Sequence, residues 1–218
     1  MQEIIGIFGG AFDPIHKGHV DVIRYINNLN LVQEIQIIPN FQSPHNKNIQ
    51  IHESHRLQMI ELAFKKFKNI SVNDFETKNK KTSYTLDTLL HLKNLEKSKH
   101  LILIIGFDSL CNFTTWNKWK EILSLCSLLV VGRTTSKKDK VDDRLLNRII
   151  DYKEDLFLEN GKIYFLENDL VNISSSEVRN KIKMGESISD LVTHEVEDYI
   201  SKKNLYIKIK CQKVPKKL

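Results

Sequence analysis

Cysteine is scarce in this chain: Cys111, Cys126 and Cys211 are an odd number, and no two approach a C-x-x-C spacing. That argues against both a disulfide framework and a cysteine-bound zinc site. Long apolar runs are missing too. Although 41% of the residues are hydrophobic, no run approaches the roughly 20 residues a membrane helix needs. The start, Met1-Gln2-Glu3-Ile4, has neither the basic opening nor the small-residue cleavage site of a signal peptide. A cytoplasmic protein without a membrane partner is therefore expected. No repeat or low-complexity linker interrupts the 218 residues, which suit one substantial domain. Most of the chain also lacks excess positive charge. Of the net +6, seven lysines fall in residues 202–218 with no acid among them, and the remainder carries 26 basic against 27 acidic side chains. So neutral a body argues against a nucleic-acid partner. The expected organisation is one domain over residues 1–206 and a lysine-rich C-terminal tail over 207–218.

Short apolar runs alternate with helical patterns. Ile4–Phe8, Ile35–Ile38, Ile70–Phe75, Leu101–Ile105, Leu128–Val131 and Ile163–Leu166 read as strands. Val20, Ile23 and Ile26 share helical spacing, as do Leu57, Ile60 and Phe67, and the leucines at 86, 89, 90, 92 and 95. Leu145–Ile150 reads as helical, the lysine-rich stretch 78–81 as a loop, and two helices close the chain. An unbroken run such as Leu101–Ile105 marks a strand buried on both faces. Strands alternating with helices predict an α/β fold, Rossmann-like and doubly wound: a mostly parallel sheet with helices on both faces. Ligands in such folds bind beyond the carboxyl ends of the strands, where strand order reverses. The residues just after Phe8, Ile38, Ile105 and Val131 are the places to inspect.

After the first strand the chain reads Gly9-Gly10-Ala11-Phe12-Asp13-Pro14-Ile15-His16-Lys17-Gly18-His19. Adjacent glycines let the backbone approach a ligand, with amides free to point at phosphate oxygens. A helix starting near His16 turns its positive end to the same spot. His16 and His19, three apart, lie on one face of it. Neither G-x-G-x-x-G nor the P-loop spacing is present. Two glycines alone would mark only a turn; the whole string G-G-x-F-D-P-x-H-x-G-H says more. Far downstream, Ile173-Ser174-Ser175-Ser176-Glu177-Val178-Arg179 opens a late helix. Ser174 and Glu177 fit a capping box. Arg179, one turn on, can offer its two-pronged donor to an anion at that helix end.

These two strings resemble the signatures of the H-x-G-H nucleotidyltransferases, and the Asp13-Pro14 form resembles the nicotinate-nucleotide adenylyltransferases in particular. The second string is similar to that family's I-S-S-T-x-I-R, with Ser176 for Thr and Val178 for Ile. Ser83-Tyr84-Thr85-Leu86-Asp87-Thr88-Leu89 resembles its S-Y-T-x-D-T-L, Pro39–His45 its P-N-x-x-P-P-H, and Ile105–Asp108 its I-G-A-D. The resemblance extends through Val196–Ile200 and ends near Tyr206. It implies an enzyme of NAD biosynthesis that moves AMP from ATP to nicotinate mononucleotide, yielding nicotinate adenine dinucleotide and pyrophosphate. It further implies catalytic roles for His16, His19 and Arg179. ATP-binding roles would fall to Gly9, Gly10, Phe12, Gly106, Asp108, Ile173, Ser174, Ser175 and Ser176. Asn40, His45, Tyr84, Thr85, Trp116 and Arg133 would serve the acceptor, with Trp116 stacked on its pyridine ring and Trp119 buried as packing. No protein metal site is implied; Mg²⁺ would be bound through the substrate phosphates, in keeping with its preference for phosphate and water oxygens.

Three departures stand out. Ala11 replaces a usual Thr or Ser, Phe107 replaces Ala, and Asn46 follows His45 where a basic residue is usual, with Lys47 one place later. Rival readings are transfer to nicotinamide mononucleotide or phosphopantetheine, and a nucleotide-binding protein without turnover. The S-Y-T-x-D-T-L string argues against phosphopantetheine, and intact His16, His19 and Arg179 argue against loss of turnover. His52, Glu53 and His55 lack a further ligand for a metal and read as a polar helix start. The sequence leaves homo-oligomerisation open.

Overall fold

In the computed structural model, which describes residues 3–44, 49–132, 140–166 and 173–207, the apolar runs pair into one seven-stranded sheet. The strands are β1 (Ile4–Gly10), β2 (Glu34–Pro39), β3 (Ile70–Val72), β4 (His100–Gly106), β5 (Ser127–Val131), β6 (Ile149–Ile150) and β7 (Ile163–Leu166). Their order is β3-β2-β1-β4-β5-β7-β6, and every pairing is parallel. The helices are α1 (Lys17–Asn28), α2 (Glu53–Phe64), α3 (Phe75–Asn79), α4 (Thr85–Leu95), α5 (Phe107–Cys111), α6 (Trp119–Leu125), α7 (Asp143–Leu146), α8 (Ser175–Met184) and α9 (His194–Lys202).

Both sheet faces are covered, which is why the central strands read as continuous apolar runs. Leu101, Leu103 and Ile105 of β4 pack with Leu86, Leu89 and Leu92 of α4 and Ile122 of α6. The alternate residues Ile102 and Ile104 pack on the other side with Val20, Ile23 and Ile26 of α1, Met59 and Ile60 of α2, and Val178, Val196 and Ile200 from α8 and α9. Each such side chain contributes about 1.5–3 kcal/mol when fully buried. Among the described residues, no helix is long and apolar enough to cross a membrane.

Three elements differ from the sequence expectation. β3 stops at Val72, because Asn73 Oδ1 accepts from the Phe75 N–H at 3.0 Å and turns the chain into α3. The lysine-rich stretch after it is thus a helix end, with Lys80 left-handed at φ 50°. Leu145–Ile150 is not one helix. Asp142 caps the short α7, and Ile149–Ile150 then pair with Ile163–Tyr164, an edge position that suits β-branched side chains. The start of α6 was not foreseen, since Lys118 precedes it in a left-handed conformation and offers no side-chain cap.

Candidate active site

Strand order reverses between β1 and β4, so the crevice predicted for this fold lies beyond Gly10 and Gly106. A cleft of about 290 Å³ opens there. Its wall brings together six of the predicted residues: Gly9, Gly10, Asn40, Tyr84, Thr85 and Trp116. Main-chain bonds set their places. The Asn40 N–H donates to the Gly10 carbonyl at 2.9 Å, tying the ends of β2 and β1 together. The Ser83 N–H donates to the Gln42 carbonyl at 2.8 Å, and Ser83 Oγ accepts from the Phe41 N–H at 3.0 Å. Those two bonds pin the P-N loop to the S-Y-T segment. Ser83 is therefore used as a tie. The N-cap of α4 is Tyr84, whose side chain makes no capping bond. Thr85 begins the helix, where main-chain N–H groups have no helical acceptor and favour an anion.

Trp116 follows the 3-10 turn Phe113–Thr115 and rests on the buried Phe113 ring, with centroids 5.1 Å apart. Trp119 packs against the core and edge-on to Phe113, as its expected packing role requires, but it is only half-buried. Lys120 and Arg144 each sit 5.6 Å from its ring centroid, because it opens a surface helix. Phe107 turns into the core at 7% exposure, near Phe165, so that bulky departure is taken up by packing behind the site. Gly106 and Asp108 are exposed at the end of β4. Glu76 joins the cleft wall unannounced by any motif. Burial raises its carboxyl pKa, opposed by hydrogen bonds from Thr88 and Ser83.

The H-x-G-H loop bends around Phe12, whose φ of 47° is rare for a bulky residue. Its ring is 1% exposed and lies over Gly10, where an added Cβ would meet the ring at 3.0 Å. A side chain at Gly10 would therefore crowd the buried ring, and any ATP contact from Phe12 must come from its main chain. The Phe12 ring also abuts His19 edge-on at 5.1 Å. His16 and His19 stack with centroids 3.6 Å apart. His19 Nδ1 accepts from the His16 N–H at 3.3 Å, which places the His19 ring proton on Nε2. His16 Nδ1 is buried without a hydrogen-bond partner among the described residues.

Burial drops the His16 pKa from 6.5 to about 4, and burial followed by the charge of His16 lowers His19 as well. Both imidazoles are neutral at pH 7, so the free site holds two N–H donors and no net imidazolium. Because folding must strip the proton from the buried ring, this shift costs nothing above pH 6.5 and disfavours the folded state increasingly as pH falls from 6.5 toward 4. The His16 penalty at acid pH is about 3 kcal/mol at most. Thermal melts of the ligand-free protein should therefore drop across that window. His16→Gln should show a shallower drop; parallel curves for the two proteins would contradict the assignment.

The second motif docks on the first. Ser174 Oγ caps α8 by accepting from the Glu177 N–H at 3.1 Å, one half of the expected box. Ser175 Oγ donates to the Pro14 carbonyl at 2.8 Å. Arg179 donates from Nη1 to the Asp13 carbonyl at 2.6 Å and from Nη2 to Ser176 Oγ at 3.0 Å. Ile173 packs half-buried against the core. His16, His19 and Arg179 are thus neighbours of one loop, and none of the three is among the residues that line the cleft. His45, Asn46, Lys47, Arg133 and the tail from residue 208 lie outside the described residues.

Sequence reasoning missed the supports beneath this loop. Asp13 is 2% exposed, Arg56 1% and Tyr206 7%. Arg56 donates to the carbonyls of Ala11 and Asn40 at 2.6 and 2.7 Å, holding two walls of the crevice. One signal was available: Arg56 precedes Met59, Ile60 and Ala63 at helical spacing, so periodicity puts it on the buried face. His52 caps α2, and His55 bonds to Tyr199 Oη at 2.9 Å. No cluster of three His, Cys, Asp or Glu side chains is grouped for a metal among the described residues. Asp13, the carboxylate within the motif, has both oxygens engaged by Tyr206 and the Gln50 N–H.

The sequence model of the Cytidylyltransferase-like family matches residues 7–181. A probable nicotinate-nucleotide adenylyltransferase of Fusobacterium nucleatum is 39% identical over 200 residues, covering 91% of this chain and 97% of that protein. One from Buchnera aphidicola is 36% identical over 212 residues, covering 94% and 97%. Among solved structures, the Plasmodium falciparum nicotinic acid mononucleotide adenylyltransferase complexed with NaAD superposes with a TM-score of 0.72 at 25% identity, covering 94% of this chain and 98% of that one. With both motifs meeting at the switch point of the sheet and likeness of this extent along the whole chain, the protein belongs to the nicotinate-nucleotide adenylyltransferases, within the Cytidylyltransferase-like family.

Proposed function

We propose that the chain transfers AMP from ATP to nicotinate mononucleotide, releasing pyrophosphate and forming nicotinate adenine dinucleotide. The observation that carries this is the docking of Ser175 and Arg179 onto the Asp13-Pro14 loop, which continues in sequence from Gly9 and Gly10 in the wall of a cleft shared with Asn40, Thr85 and Trp116. The acceptor's 5′-phosphate needs no activation, because a phosphate monoester is already ionised near neutral pH. One of its oxygens attacks the α-phosphorus in line. The new O–P bond forms as the bridging bond to the β-phosphate breaks, and pyrophosphate takes the electron pair. No protein nucleophile is used. Cys126, for one, is buried, and burial pushes its thiol up to about 12.

Catalysis is then positioning and charge stabilisation. His16 and His19 donate hydrogen bonds to the triphosphate, the stranded His16 Nδ1 gaining a partner whose lack costs about 1–3 kcal/mol. Arg179 exchanges its carbonyl and serine partners for phosphate oxygens. Gly9, Gly10, Asp108 and Ser176 complete the ATP side. The helix N-terminus at Thr85 receives the pyridine carboxylate, and Asn40 and Tyr84 border the ribose phosphate. Mg²⁺ carried on the phosphates would supply charge neutralisation. We place the enzyme in the cytosol and its folded unit at residues 1–206; the burial of Tyr206 supports that boundary.

The direct test is mass identification of the dinucleotide formed from ATP and nicotinate mononucleotide; recovery of pyrophosphate without dinucleotide would overturn the reading. Trp116→Ala should raise the acceptor KM roughly five- to hundredfold, the worth of one aromatic stack, and leave the ATP KM nearly unchanged. Equal changes in both constants would remove Trp116 from the acceptor site.

A further inference from the structure

We infer that Tyr206 is a positioning residue for ATP binding: by donating to Asp13, it keeps that carboxylate from capturing Arg179. This rests on the reading that Arg179 binds the triphosphate. Both Asp13 oxygens are held by uncharged donors, Tyr206 Oη on Oδ1 at 2.8 Å and the Gln50 N–H on Oδ2 at 2.8 Å. Arg179 Nη1 stands 3.9 Å from Oδ2 and donates instead to the Asp13 main-chain oxygen. A guanidinium this close to a buried carboxylate ordinarily closes into a two-pronged pair, and such a pair is costly to open once formed. The other guanidinium nearby has no fork to offer, since both Nη atoms of Arg56 are committed to carbonyls and only its Nε is without a partner among the described residues.

Tyr206 is itself buried, and burial together with the adjacent carboxylate pushes its phenol far up, so it remains a donor at any working pH. Just past α9, it clasps a loop 193 residues away in sequence. Without the hydroxyl, Asp13 Oδ1 needs a new donor, and the Arg179 fork, whose Nη1 is already 3.9 Å from Oδ2, can turn onto the carboxylate. The fork would then be spent on Asp13 and withheld from ATP.

Steady-state kinetics of Tyr206→Phe, which keeps the ring and removes only the hydroxyl, test this. The ATP KM should rise on the order of tenfold, matching the loss of a hydrogen bond to a charged group, while the acceptor KM stays within about twofold. Adding Asp13→Asn to that variant removes the charge that traps Arg179 and should bring the ATP KM back toward the starting value. An unchanged ATP KM in Tyr206→Phe, or equal rises in both constants, overturns the inference. A folded double variant that keeps the raised ATP KM does the same. Arg179→Ala distinguishes this from failure of the underlying reading: if it leaves the ATP KM unchanged, Arg179 is no phosphate ligand and the clasp has nothing to guard.

Discussion

His16→Ala and His19→Ala are each expected to lower turnover by about 10²-fold or more, the usual loss for one preorganised donor to developing negative charge. The two rings stack and share a helix start, so they act as a unit, and the double variant should lose less than the product of the single losses. Folding should suffer little in His16→Ala. The packing lost at a 6% exposed ring is offset by removing a buried nitrogen that has no partner among the described residues. His19 also touches the Phe8 and Phe12 rings, so His19→Asn is the cleaner probe of its donor role. Turnover and melting temperature measured on the same preparations decide the matter. A variant that melts early yet keeps its rate would reduce the histidines to packing.

Arg179→Ala should lower kcat/KM for ATP by about 10²-fold, because a two-pronged charged donor to phosphate is lost. Arg179→Lys should recover only part of it, since lysine brings a point charge without the planar fork. The fork has local work as well, bonding the Asp13 carbonyl and Ser176 Oγ. Some loss of thermal stability is therefore expected in the alanine variant, about 1 kcal/mol for a net hydrogen bond. The distinguishing observation is the partition of the kinetic loss. It should fall on ATP and spare the acceptor constant; a loss shared by both substrates would point to collapse of the α8 docking.

Much of the site was legible because its chemistry is packed into short strings. Gly9–His19 and Ile173–Arg179 each combine a helix start with phosphate-suited side chains, and helix starts are local events. β4 was legible because burial on both faces leaves no polar gap in Leu101–Ile105. What joins the strings was not legible. Tyr206 meets Asp13 across 193 residues, and nothing in either local pattern announces the contact. Gly10 suggested ligand approach, whereas its missing side chain is taken up by the Phe12 ring. Trp119 packs on the core as expected yet stays half-buried, with Lys120 and Arg144 near its ring, because a tryptophan at a helix start carries no sequence mark of how much of it is covered. The two-residue β6 was read as helix because two isoleucines are too short a run to show a period.

The central claim is that this cleft transfers AMP to an acceptor bearing a pyridine carboxylate. Pyrophosphate release from ATP and Mg²⁺, measured in parallel with nicotinate mononucleotide, nicotinamide mononucleotide and phosphopantetheine, tests it most directly. The carboxylate at the Thr85 helix start should give nicotinate mononucleotide the highest kcat/KM, with one dinucleotide formed per pyrophosphate. Faster release with phosphopantetheine, or none with any acceptor, would contradict it.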